Sequence, residues 1–123
     1  YIAATSKGLF VVDLNEEYPA GGKMVGSATG TGWFGGVRVL DAFALVAADP
    51  GMHMFDVSDP TSPTLVRTCK IATGKGWNIV IDPTDKTVFL ADYDGGLHII
   101  KLSSFLVPTV VGHFGTGAFA TCT

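Results

Sequence analysis

The feature that most limits what this chain can fold into is an internal repeat. Gly8-Leu9-Phe10-Val11-Val12-Asp13-Leu14-Asn15 lines up with Gly51-Met52-His53-Met54-Phe55-Asp56-Val57-Ser58 and with Gly96-Leu97-His98-Ile99-Ile100-Lys101-Leu102-Ser103, at offsets of 43 and 45 residues. The segments in front of these blocks repeat too, with Tyr1 to Thr5, Ala44 to Asp49 and Val88 to Asp92 in equivalent places. Behind them Val25-Gly26, Val66-Arg67 and Val111-Gly112 correspond, followed by Gly32-Trp33, Gly76-Trp77 and Gly117-Ala118. Three copies, 1–43, 44–87 and 88–123, account for nearly the whole sequence. A fixed period of this length means stacked, similar units that bury their apolar faces on one another.

Within a copy the apolar runs are short, rich in Val, Ile and Phe, and bounded by Gly, Pro, Asp and Thr, which predicts strands buried on both faces. The 16 glycines among 123 residues fit many turns. One stretch, Val37 to Asp49, is free of Gly and Pro and has helical length, but its counterpart in the next copy is Ile81-Asp82-Pro83-Thr84-Asp85-Lys86-Thr87. A proline and its turn-forming neighbours there require strand, turn, strand in both copies. Four strands in about 40 to 45 residues is the arithmetic of one propeller blade.

The pattern Leu9-Phe10-Val11-Val12-Asp13-Leu14, the run Met54-Phe55-Asp56-Val57-Ser58-Asp59-Pro60-Thr61-Ser62-Pro63 with Leu65-Val66 after it, and Phe89-Leu90-Ala91-Asp92-Tyr93-Asp94-Gly95-Gly96-Leu97-His98-Ile99-Ile100 resemble the LVIVD-repeat β-propeller family. The second copy matches best; the first departs at Asn15 to Gly22, and the third has Lys101 and Ser104-Phe105 where Asp and Asp-Pro are expected. The resemblance implies an all-β propeller and a secreted or cell-surface scaffold or interaction module. It carries over no catalytic residue, since its shared residues are packing and turn types.

With the family's blade phase, strands a to d running from centre to rim, the chain reads b, c, d, then a, b, c, d twice, then part of one more a. Three blades make an incomplete ring, because propellers use about 4 to 8. The chain is therefore expected to be a fragment of a larger propeller or to be completed by another chain. Its protein partners would pair the unsatisfied backbone edges at Tyr1–Thr5 and Ala118–Thr123.

Charge removes one partner class. Eight Lys and Arg against 11 Asp and Glu give a net charge of -3, without the basic footprint that nucleic-acid binding needs. Leu102 to Thr123 carries no charged residue, yet Pro108, Gly112, Gly115 and Gly117 interrupt it, so no membrane span is expected. Cys69 and Cys122 lack metal or redox spacing. They fall in an outer and an inner strand of different blades, too far apart for the Cα separation of about 7 Å that a disulfide tolerates.

Among residues that suggest chemistry, Trp33 and Trp77 each follow a glycine at the start of an inner strand and are candidates for a stacking platform, with packing between blades as the plainer role. Asp92, Tyr93 and Asp94 lie on a b–c loop, which emerges on the same side as the d–a loops, and carboxylates flanking an aromatic suit a glycan or a cation. These five residues form the candidate ligand site, and a carbohydrate-binding propeller is the alternative function. His53 and His98 occupy equivalent positions on adjacent blades about 10 Å apart, too far to share one ion, and Asp56 to Pro63 lacks the spacing of a calcium loop. No catalytic residue, metal or cofactor is expected; a propeller enzyme with its site on other blades remains the third reading.

Overall fold

In the computed structural model, which describes residues 2–4, 6–14, 22–71, 75–104 and 106–115, all regular structure is strand. Strands β1 (Ile2–Ala4), β2 (Gly8–Asp13) and β3 (Lys23–Ala28) form the first sheet. The second holds β4 (Phe34–Leu40), β5 (Phe43–Ala48), β6 (Gly51–Asp56) and β7 (Thr64–Lys70), and the third β8 (Gly76–Asp82), β9 (Thr87–Asp92), β10 (Gly96–Leu102) and β11 (Pro108–Phe114). Each is an antiparallel meander in which sequence neighbours pair, as the b, c, d and then a, b, c, d phase requires. The sheets approach most closely at their inner strands, β4 with β8 and β1 with β4. Among the described residues the chain is an all-β, open arc of three β-propeller-type blades, the first with three strands.

The repeat is written into backbone geometry. Gly8, Gly51 and Gly96 open the third strand of each blade with φ of 108°, 115° and 89°, a left-handed region that side chains avoid and glycine enters freely. Each outer pair carries a β-bulge at the same place, between Val11 and Val12, Met54 and Phe55, and Ile99 and Ile100. Such a bulge adds twist to the outer strand. The register sets Gly26, Arg67 and Gly112 opposite Val11, Met54 and Ile99, the correspondence seen in the sequence. The glycine-free stretch beginning at Val37 is a hairpin turned at Asp41 and Ala42, with Asp41 left-handed at φ 53°.

Period-two alternation sends successive side chains to opposite faces, and the second sheet is buried on both. Leu45, Ala47, Met52 and Met54 pack against Ile79, Val88, Leu90 and Ile100 of the third sheet. Ala44, Val46 and Phe55, with Phe34, pack against Leu9 of the first. Each Leu or Met buried this way contributes about 1.5–3 kcal/mol. Cys69 is free and buried on β7, and burial pushes its thiol pKa up. Its expected non-partner Cys122 lies outside the described residues, as does the terminal strand Ala118–Thr123.

The acidic run Asp56 to Pro63 is a pair of self-bonded turns. Ser58 donates its N–H (2.9 Å) and hydroxyl (2.6 Å) to Asp56 Oδ1, and Thr61 donates its N–H (2.9 Å) and hydroxyl (2.7 Å) to Asp59 Oδ1. Thr84 N–H does the same to Asp82 at 2.9 Å. The hydroxyl and then the backbone N–H bonds hold the Asp56 and Asp59 carboxyls below their ordinary value of 3.8.

Two expectations follow. Gly51→Ala should cost about 1–3 kcal/mol, because it forces a Cβ into a left-handed backbone and against the Cys69 carbonyl oxygen. Chemical denaturation is the measure, with Gly115→Ala, which has its nearest neighbour at 3.9 Å, as a near-neutral control. For pH, a depressed folded-state pKa gives stability that is present above the unfolded value and lost as pH falls through the folded one. Thermal unfolding across an acid series should therefore show the turn's contribution intact above pH 3.8 and fading below it. The Asp56→Asn, Asp59→Asn double variant should lose part of that acid dependence.

A candidate aromatic binding cleft

All five expected ligand residues were assigned to loops or strand starts on one side of the arc, and the structure joins three of them. Trp33 stands immediately before β4, Trp77 is the second residue of β8, and Tyr93 follows β9 in the turn to β10. Trp33 and Trp77 stack across the blade boundary with centroids 5.2 Å apart and planes at 16°. Tyr93 tilts onto Trp77 at 5.5 Å and 37°.

This meeting depends on two glycines. A Cβ on Gly35 would strike the Trp77 carbonyl oxygen and come within 2.7 Å of Trp33 Cζ3, and one on Gly36 would strike the Asn78 side-chain oxygen. The Gly35-Gly36 pair thus lets β4 lie directly on β8, with the Trp33 ring covering the place where a side chain of Gly35 would be.

The register also revises the sequence alignment here. Phe34 pairs with Ala48 and Gly76 with Asp92, while Ala48 and Asp92 pair with the equivalent glycines Gly51 and Gly96. Phe34 and Gly76 are therefore equivalent, so Trp33 corresponds to Lys75 and Trp77 to Gly35. The two tryptophans are not repeats of one position, and for that reason they face each other instead of standing a blade apart.

Asp49 and Lys75 complete the lining of a cavity of about 360 Å³ with Trp33, Trp77 and Tyr93. Backbone bonds hold both: Asp49 N–H donates to the Trp33 carbonyl and Tyr93 N–H to the Lys75 carbonyl, each at 2.9 Å. Sequence reasoning missed this pair because neither residue belongs to a motif; strand register is the signal that relates Lys75 to Trp33 and Asp49 to Tyr93. Among the described residues neither side chain takes part in an ion pair.

Asp92 departs from its expected role. It is fully buried, its Oδ1 accepts the N–H groups of Lys75 and Asp94 (3.2 Å each), and its Oδ2 lies 3.0 Å from His98 Nε2. It clamps the loop before β8 to the turn after β9 and so builds the cleft floor's frame without facing a ligand. Asp94 is exposed on that turn, outside the lining. Asp92 is the last residue of β9 and is buried, while Tyr93 and Asp94 lie in the turn beyond it and are exposed.

The equivalent histidines are packing residues with partners. His53 is fully buried, with Nε2 donating to the Thr31 carbonyl at 2.9 Å and Nδ1 receiving the Thr68 hydroxyl at 2.9 Å; a carbonyl only accepts, which fixes the tautomer. His98 bonds Asp92 and stacks on His113 at 4.6 Å.

Residues 32–71 match the sequence model of the LVIVD repeat. No curated protein and no solved structure matches the chain. The matched segment brackets β4 to β7, the whole second sheet, and so agrees with the strand phase from inner to outer. The chain carries an LVIVD repeat at residues 32–71, folded as one blade of a β-propeller-type module.

Proposed function

We propose that this chain is a non-catalytic scaffold or interaction module whose open sheet faces receive further sheets of the same repeat, as part of a secreted or cell-surface propeller. The observation that carries the reading is a register equivalence. On the third sheet Phe89, Leu97 and Ile99 take the places that Leu45, Met52 and Met54 hold on the second. The latter three are 0%, 1% and 1% exposed beneath the third sheet, whereas Phe89, Leu97 and Ile99 are only half-buried, beside exposed Val80 and Phe114.

The opposite end of the arc is complementary. Phe10 and Val12 of the first sheet are half-buried at the positions where His53 and Phe55 are fully buried. A Cβ on Gly26 would strike the Pro60 carbonyl, so the first sheet seats the second sheet's Asp56 to Pro63 turn there. The third sheet repeats that seat at Gly112, where its own Ile99 side chain is the nearest neighbour at 3.3 Å. One end thus presents what the other is shaped to cover, the geometry of a head-to-tail contact. β1 also ends its sheet, with β2 as its one strand neighbour among the described residues. The secreted or surface setting rests on the family resemblance.

Sedimentation at micromolar concentration tests the reading. The chain is expected to self-associate or precipitate, and Val80→Lys with Leu97→Lys, which places charge on the open face, is expected to shift it toward monomer. A soluble monomer of the unaltered chain that unfolds cooperatively would overturn it.

A further inference from the structure

We propose that the cleft between the second and third sheets binds a neutral saccharide. The site lies between two sheets that are both present, so the inference does not depend on what covers the third sheet's open face.

The lining chooses the ligand class. Trp77 is 43% exposed and Tyr93 36%, which leaves aromatic surface in contact with solvent at the cavity wall. Aromatic side chains of this kind combine a broad apolar face with a polar tip, and the C–H face of a pyranose is a matching flat apolar surface. Asp49 supplies hydrogen-bond acceptors and Lys75 supplies donors, one from each sheet, and hydroxyl groups bond to both. A cationic ligand would meet the Lys75 ammonium, and an anionic one the Asp49 carboxylate. A neutral polyhydroxylated molecule satisfies the two together.

Two other occupants fit less well. Trp33 and Trp77 lie against one another at 5.2 Å, leaving no slot between them for a proline ring, which disfavours a proline-rich peptide. A quaternary ammonium would gain from three aromatic rings but faces the charge of Lys75. The volume of about 360 Å³ is at the small end of the range of about 300–1,000 Å³ for small-molecule sites, a match for a mono- or disaccharide unit.

The chain's two tryptophans both line the cleft, so tryptophan emission, excited selectively over tyrosine, reports on this site. The full chain would be titrated with the methyl glycosides of glucose, galactose, mannose and N-acetylglucosamine, and with cellobiose, maltose and lactose. At least one should give a saturable change with Kd of about 1 mM or tighter. Saturation-transfer NMR on Trp77→Ala and Asp49→Asn should show binding weakened at least about tenfold, with the unfolding midpoint of the near-isosteric Asp49→Asn variant unchanged. No response to any saccharide would overturn the proposal. Saturable binding of choline or of a proline-rich peptide in place of the sugars would also overturn it, as would sugar binding that Asp49→Asn and Trp77→Ala both leave intact.

Discussion

Every sheet in this arc is apolar on both faces, and the structure follows from having to cover them. Leu45, Ala47, Met52 and Met54 look one way and Ala44, Val46 and Phe55 the other, so the second sheet buries itself only with a neighbour on each side. A hairpin or single sheet of this sequence would expose one of those surfaces to water at a cost on the order of 25 cal/mol per Å². Stability is therefore a property of the stack, a sum over units and their shared boundaries, as in other repeat proteins. The second sheet has both boundaries within the described residues; the first and third each have one.

Close approach of the sheets depends on small residues at the inner strands. Gly35 and Gly36 bring β4 onto β8, and the left-handed glycines at 8, 51 and 96 fix where each third strand begins. The outer strands are bent by a bulge repeated at one register position. Packing at the centre and twist at the rim are thus separate devices, and a blade needs both to fan around an axis.

The blade order was legible because its signals are local: glycine at fixed offsets, short β-branched runs, and Asp-Pro turns whose carboxylates bond their own backbone. The strand ends follow from the same residues, with the left-handed glycines at 8, 51 and 96 starting the third strand of each blade. The site was harder to read. Trp33, Trp77 and Tyr93 stood out as aromatic residues near loops, but their meeting depends on a two-residue shift in inner-strand register that an alignment on Gly-Trp pairs conceals. Asp92 looked like a ligand residue beside Tyr93, and only side-chain direction shows it turned inward to His98. Asp49 and Lys75 carry no motif; backbone bonds to Trp33 and Tyr93 place them.

The cleft arises where the repeat is imperfect. Had the positions of Trp33 and Lys75, or of Gly35 and Trp77, carried the same residue in both blades, the boundary would hold like facing like, with no ring laid over a glycine. Trp33 lies over Gly35, and Trp77 meets both Trp33 and Tyr93. The positions that keep their character between copies fill the core: Val46 and Leu90, Phe55 and Ile100, Ala44 and Val88. Those that differ collect at the inner-strand starts and the turns beside them, where a side chain answers to solvent and to the next blade more than to its own sheet. In a fold whose repeated residues are committed to packing, such unrepeated positions are free to differ, and Trp33, Gly35, Lys75 and Trp77 meet at one boundary.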